Sequence, residues 1–439
     1  LNSISSRSCV LGIDVGTSGV RAIAIDSEGC ELAVFRTPYT EVNDNESPDN
    51  AYRSTDLWWQ ALRRSVKSVT EQLQNHKVVA LSVDGTSGSV LPINRDGEPI
   101  TQPLMYNDTV DDRNILSSVS RVMPQHSAAG GATSALAKAI KFAQLQPYAV
   151  VHQADWIIGN LCGNFRHSDA NNALKTGFDP LSMQWPDWIK GIADTMPLLP
   201  EVAVPGDILN EVSADVASDL GLTTPVKIVA GTTDGCAAFL ATGACETGDA
   251  VTSLGSTLTL KLLSDKPVFA PQYGVYSHRI ADVWLAGGAS NTGGAVLAHF
   301  FSDDDLQRLC ADMDTSHDTG LDYYPLLKPG ERFPVNDPHL EPKVKPRPDS
   351  DQEYLQGILE GIASIEKAGY TELTAAGGSV VKTIRSVGGG ASNSAFSEIR
   401  QRILSSEILS IEFKQPLSEE AAYGVATLAK KAADRLNLW

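Results

Sequence analysis

Val10-Leu-Gly-Ile-Asp14-Val-Gly16-Thr17-Ser18-Gly19-Val-Arg-Ala-Ile-Ala-Ile-Asp26 joins two apolar runs through a turn of small residues with one carboxylate at its edge. Alternation on either side predicts a hairpin, with Val20, Ala22, Ala24 and Asp26 on one face and Arg21, Ile23 and Ile25 on the other. Gly16 and Gly19 give the turn backbone conformations closed to other residues, so successive N–H groups can converge on an anion. Thr17 and Ser18 add hydroxyl donors, and Asp14 is placed to hold a hydrated magnesium ion. Taken alone, the run reads equally well as an ordinary glycine-rich hairpin, because short glycine motifs recur without function.

The rest of the chain bears on that choice. Glu31 to Tyr39 alternates as a third strand, and a helix is expected from Thr55-Asp56, with Trp59, Leu62, Val66, Val69 and Leu73 inward and Arg63, Arg64 and Lys67 outward. Lys77 to Asp84 is an apolar strand running into Gly85-Thr86-Ser87-Gly88-Ser89 and out through Val90 to Asn94. Val226 to Ala230 predicts a further strand, followed by Gly231-Thr-Thr-Asp234-Gly235 and a small-residue helix over 236–242. The run 249–263 then repeats the opening pattern of strand, Gly255-Ser256-Thr257 turn and strand, with a third strand expected near 273–280. A phosphate-type turn opening a β-meander in each half is hard to reconcile with an accidental hairpin.

The C-terminal part is helical in pattern. Leu355, Ile358, Leu359, Ile362 and Ile365 form one stripe. Ser386-Val-Gly-Gly-Gly390-Ala-Ser-Asn393 interrupts before a helix with Phe396, Ile399, Ile403 and Leu404 inward. A triglycine ahead of a capped helix suits a flat ring or a phosphate lying against backbone; a tight turn required by packing is the other reading. A last helix is expected from Ser418, with Glu419 and Glu420 in its first turn.

A chain of 439 residues calls for two domains, and 42% hydrophobic with 20% charged residues is an ordinary globular composition. The formal charge of -18 argues against nucleic acid and anionic membrane as partners. Cysteines 9, 30, 162, 236, 245 and 310 show neither CxxC nor zinc spacing, and the eight histidines suggest no metal cluster. Reduced thiols in an intracellular compartment are the expectation. No apolar run reaches bilayer length, and GxxxxGK[ST], HExxH and strand-GxGxxG-helix motifs are all missing. Residue 1 is not Met, which suits a removed leader or a chosen start.

Asp14-Val-Gly16-Thr17-Ser18, Gly231-Thr-Thr-Asp234-Gly235, Ser253-Leu-Gly255-Ser256-Thr257 and Gly388-Gly-Gly-Ala-Ser-Asn393, in this order, resemble the FGGY family of carbohydrate kinases. Asn107-Asp108 with Arg113, Gly330-Glu-Arg-Phe-Pro334, Glu360-Gly-Ile362 and the Ala/Gly-rich helix after Ser418 support the likeness, which spans nearly the whole chain. It implies an α/β fold of two ribonuclease-H-like, actin-type domains, 1–235 and 236–439, flanking an interdomain cleft, with sugar bound mainly by the first and ATP mainly by the second. Asp14 then matches the residue that organises magnesium and phosphate, and Asp234 the catalytic base. Gly16, Thr17 and Ser18 match the first phosphate loop, Gly255, Ser256 and Thr257 the second, and Gly389, Gly390 and Asn393 the adenosine loop. Ser87, Asn107, Asp108 and Arg113, with Asp14 and Asp234, are the sugar-side residues, although Asp108 and Arg113 also read as a structural ion pair.

The resemblance implies transfer of the γ-phosphoryl group of ATP, with Mg2+, to a hydroxyl of a ketopentose. Xylulose kinases of the family usually carry Met-His where this chain has Thr86-Ser87. The small hydroxyl pair looks more like the ribulose and ribitol kinase branches, which favours D-ribulose over D-xylulose or another polyol. The chain is most similar to short plastid-type pentulose kinases, so a plastid stroma is expected if a leader was removed and the cytoplasm otherwise, with a monomer or homodimer as the assembly. A weakly active ATP- and sugar-binding regulator and an actin- or Hsp70-like ATPase acting on protein partners are the competing classes.

Overall fold

The computed structural model describes residues 7–43, 48–193, 199–223, 225–405 and 411–439. The chain forms two compact units. The first runs to Ala241 and takes in His278–Ala281 and Glu420–Trp439; the second comprises Thr242–Ser277 and Asp282–Glu419. The division expected after Gly235 falls inside the helix Asp234–Ala241, because that helix packs on the first unit's own elements. The C-terminal helix, expected with the second domain, returns to the first for the same reason.

In the first unit the strands are β1 (Arg7–Val15), β2 (Gly19–Ile25), β3 (Glu31–Pro38), β4 (His76–Gly85), β5 (Val90–Ile93), β6 (Ala149–His152), β7 (His167–Asp169), β8 (Glu201–Ala203), β9 (Ile208–Glu211) and β10 (Lys227–Thr233). The main sheet has the order β3-β2-β1-β4-β10-β9. Its first three strands are the antiparallel meander read from the sequence, while β4 lies parallel to β1 and β10 parallel to β4. The strand after the 85–89 turn leaves this sheet, since β5 pairs with β6.

Both faces of the sheet are covered, which is why β2 is apolar on each side. Val20, Ala22 and Ala24 pack with Leu11 and Ile13 against the helix Thr55–Gln72. Ile23 and Ile25 pack with Val10 against the helix Ala421–Leu436. Within the first of these helices Leu62, Val66, Val69 and Leu73 are buried as expected, while at its start Trp58 rather than Trp59 takes the inward place and Trp59 is only half-buried. Ala421–Leu436 begins three residues later than predicted, with Glu420 at its N-cap. Small residues let it sit close: a Cβ on Gly12 would lie 1.9 Å from the Ala422 carbonyl oxygen, and one on Gly424 1.8 Å from that of Ala237.

The second unit repeats the meander with β11 (Asp249–Leu254), β12 (Leu258–Ser264), β14 (Val283–Ala289), β15 (Thr383–Val387) and β16 (Glu412–Lys414); the short strand β13 (Ser277–Ile280) falls at the division, all but its first residue in the first unit. The second unit's sheet carries the order β14-β12-β11-β15-β16, so β11 holds the place of β1, β12 of β2 and β15 of β4. The expected run 273–280 does hold a strand, β13, but the one that pairs with β12 and completes the meander is β14, which went unrecognised because Trp284 to Ala289 is too rich in Ala and Gly to show a strand pattern. The helix Asp351–Ala375 buries the predicted stripe against the sheet. Arg400 of the helix Ser394–Leu404 meets Glu366 in a buried bidentate pair of 2.7 Å bonds and donates to the Ser386 hydroxyl at 2.7 Å, which ties that helix to the end of β15.

Candidate active site

Parallel pairing in register brings two aspartates side by side: Asp14, one residue before the end of β1, lies opposite Asp84, one residue before the end of β4, and Thr232 of β10 lies opposite Asp84 on its other side. Asp234 follows at once as the first residue of the helix Asp234–Ala241, its Oδ1 accepting from the Gly235 N–H at 2.7 Å. β10 therefore runs on through Gly231-Thr-Thr, beyond the end expected at Ala230. A Cβ on Gly231 would lie 1.8 Å from the Val83 carbonyl oxygen, so glycine there lets β10 close on β4.

Asp14 and Asp84, opposite one another on adjacent strands, are two like charges that cannot both ionise without cost. Among the described residues, neither oxygen of the fully buried Asp84 has a hydrogen-bond partner. Burial first, and then the charges of Asp14, Asp234 and Asp169, push Asp84 well above the usual carboxylate range. Burial raises Asp14 as well, helped by the charge of Asp234, while the neighbouring Asp84 carboxyl and the positive charges of Arg21 and Arg36 hold it down. Asp169, behind Asp84, is pushed up to about 6 by burial despite accepting from Asn171 N–H at 2.8 Å, Asn172 N–H at 3.0 Å and the Asn172 amide at 2.6 Å.

Gly16 and Ser18 line a small cavity of about 160 Å³ with Asp14, Arg21 and Arg36; Thr17 is exposed beside it. Neither Gly16 nor Gly19 has a left-handed backbone, contrary to the expectation from sequence. Glycine at 19 is required by crowding, since its Cβ would stand 2.3 Å from the Thr37 carbonyl oxygen of β3. The turn is pinned by Gly16 N–H to Gly19 carbonyl at 3.1 Å and by the Tyr39 hydroxyl to the Gly16 carbonyl at 2.8 Å, and Arg36 donates to the Ser18 hydroxyl at 2.8 Å.

The sugar-side residues are dispersed. Asp108 takes a bidentate ion pair from Arg53 and accepts the Met105 N–H at 2.7 Å; its partner is not Arg113, which sits exposed at the start of the helix Arg113–Val122. Asn107 is exposed beside Asp108. The Ser87 hydroxyl is buried with no hydrogen-bond partner among the described residues.

In the second unit, Gly255, Ser256, Gly389, Gly390 and Asn393 line one cavity of about 900 Å³ together with Gly294; Thr257, exposed, is outside its lining. The Gly255 and Ser256 carbonyls accept from Gly294 and Ala295 N–H at 2.8 and 3.1 Å. Asn393 caps the helix Ser394–Leu404 by accepting the Phe396 N–H at 3.0 Å, while its amide donates to the Cys310 thiol at 3.2 Å. Of the triglycine, only Gly388 is left-handed, at φ +88°.

Family models of the FGGY family of carbohydrate kinases match residues 9–123, as the N-terminal domain, and 247–433, as the C-terminal domain. The chain belongs to the FGGY family of carbohydrate kinases. This FGGY kinase, a phosphotransferase, is 21% identical to a xylulose kinase of Staphylococcus epidermidis across 96% of the chain and 88% of the relative. It is 22% identical to a ribulokinase of Geobacillus thermodenitrificans across 58% and 52%. Its fold is that of a solved xylulose kinase from Brucella ovis, at TM-score 0.80 and 20% identity over 97% and 91% of the two chains. The Plasmodium falciparum glycerol kinase with ADP shares it at TM-score 0.77 and 15% identity over 99% and 90%. Among the described residues no helix is long and apolar enough to cross a membrane.

Asp84, not among the site residues expected from sequence, had a visible signal: Val83-Asp84-Gly85-Thr86-Ser87 ends its strand as Ile13-Asp14-Val15-Gly16-Thr17-Ser18 ends its own. Asp169 had none, because in sequence it reads only as the cap of the helix Ala170–Leu174, while Asp84 lies on a strand far earlier in the chain.

Proposed function

We propose that the protein transfers the γ-phosphoryl group of ATP to a hydroxyl of a ketopentose, with D-ribulose as the acceptor. The observation that carries this reading is the convergence of Asp14, Asp84 and Asp234 at the ends of parallel strands, beside the pinned Gly16–Gly19 turn. Asp234 is assigned the role of orienting the acceptor hydroxyl and taking its proton as transfer proceeds. Gly16, Thr17 and Ser18 are assigned to phosphate, as are Gly255, Ser256 and Thr257. The 900 Å³ cavity is assigned to the nucleotide, with Gly389, Gly390 and Asn393 against its adenosine.

The residues fit a magnesium ion. Among the described residues no group of three or more His, Cys, Asp or Glu side chains is arranged to hold a metal. Mg2+ typically takes one or two carboxylates and completes its shell with water and phosphate, so Asp14, with Asp84 next to it, suffices. Asp84's buried oxygens, without a hydrogen-bond partner among the described residues, suit a place where a cation balances charge. Bound there, the ion neutralises phosphate charge.

Thr86-Ser87, in place of larger side chains, supports D-ribulose; the xylulose kinases among the relatives support D-xylulose as the second reading. Asn107, Asp108 and Arg113 are kept as acceptor-side residues, with Asp108 acting through its Arg53 pair. ADP release measured across a panel of ketoses and polyols tests the assignment. Turnover highest on D-ribulose supports it, preference for D-xylulose selects the second reading, and sugar-independent turnover overturns both.

A further inference from the structure

Among the described residues, Lys138 is the one lysine whose side chain is fully buried. It stands in the helix Ala135–Ala143, surrounded in sequence by Ala, Leu and Ile, where a methionine of similar length would fill the slot without desolvating a charge. Its ammonium donates to the Gly88 carbonyl at 3.0 Å and the Met105 carbonyl at 2.6 Å. Those carbonyls belong to two different loops, one carrying Ser87 and the other leading into Asn107-Asp108.

The first loop is held at further points. Gln153 Oε1 accepts both the Thr86 N–H at 2.9 Å and the Thr86 hydroxyl at 2.7 Å. Because a backbone N–H can only donate, the amide orientation is fixed, and Nε2 is left buried without a partner. Ser89 Oγ bonds to Thr86 Oγ1 at 2.6 Å and accepts the Tyr106 N–H at 2.9 Å, joining the two loops a second time. Thr86, Gly88 and Ser89 are thus fixed, and Ser87 between them carries a hydroxyl with nothing to bond. On the other loop, Asp108, gripped by Arg53, supplies the negative charge that Lys138 faces.

We infer that Lys138 is a positioning residue for the acceptor: it sets the register of the 86–89 loop against the 105–108 loop, and through that register the affinity and selectivity for the sugar. The inference rests on the reading that both loops face the acceptor. A purely structural lysine would lower stability and leave the balance between the two substrates alone. A positioning lysine acts on the acceptor only.

The test is Lys138→Met, which keeps the packing and removes both donors. Its acceptor KM is expected to rise at least tenfold while the ATP KM stays within twofold and kcat falls less than threefold. Lys138→Met and Ser87→Ala together are expected to raise the acceptor KM no further than the worse single variant, since both act through the same hydroxyl. Should Lys138→Met fail to fold, Ser89→Ala, which cuts the second link between the loops, carries the same expectation. Equal changes in both KM values, or no change in the acceptor KM, overturn the inference while leaving the kinase reading intact. A folded wild-type protein that phosphorylates no sugar overturns the reading and the inference with it.

Discussion

Asp169→Asn isolates the electrostatic cost of the carboxylate cluster. Asp169 has a folded-state pKa of about 6 against an ordinary value of 3.8, with burial as the leading cause. Between those values the folded protein binds a proton that the unfolded chain does not, so this group's contribution to stability is present at low pH and is lost as pH rises through 6. Each unit is worth about 1.4 kcal/mol, and integrating the two titrations from pH 5 to pH 8 gives a loss of about 1.4 kcal/mol. Asparagine removes the titration and keeps the cap, since its Oδ1 still accepts the Asn171 and Asn172 N–H groups. The Asn172 amide, whose Oδ1 has no partner, can rotate to accept from the new Nδ2. Urea unfolding of both proteins at pH 5 and pH 8 measures the effect. Wild type is expected to lose about 1.4 kcal/mol more than Asp169→Asn over that interval. Parallel losses would show that burial does not hold a proton on Asp169, and the same argument applied to Asp84 would fall with it.

Lys138 gives the opposite sign. Burial lowers it to about 8, so the unfolded chain binds the extra proton above that pH. With Asp108, Arg53 and His152 around it, wild type is expected to gain stability relative to Lys138→Met as pH rises from 8 toward 10, measured by the same unfolding. Arg400→Met leaves Glu366 buried without its partner and is expected to cost about 3–5 kcal/mol, most of it recovered in Arg400→Met/Glu366→Leu. Gly19→Ala, whose methyl meets the Thr37 carbonyl, is expected to cost about 1–3 kcal/mol in thermal unfolding by forcing β2 and β3 apart.

The repeated hairpins were legible because their alternation is local and their turns are short. The Asn393 cap and the helix following it were legible for the same reason, since cap and helix adjoin in sequence. Three things were not. The pairing of Asp14 with Asp84 depends on a parallel register between strands some seventy residues apart, which no local pattern encodes. The return of Ala421–Leu436 to the first unit depends on small residues at Gly12 and Gly424, which read in sequence as neutral composition. Asp108 finds Arg53 rather than Arg113 because the nearer arginine in sequence faces outward from a helix start, while the 3-10 segment ending at Arg53 presents its guanidinium to the loop. Glycine at 19 is required, but by space rather than by a left-handed backbone, and at 16 neither crowding nor a left-handed backbone calls for it.

ADP release by wild type and Asp234→Ala, each with and without D-ribulose, tests the central claim most directly when paired with equilibrium binding of an ATP analogue. Sugar-dependent release by wild type, at least a thousandfold slower in Asp234→Ala with analogue affinity unchanged, is the predicted result. Near-normal turnover in Asp234→Ala, or release by wild type that ignores the sugar, would contradict it.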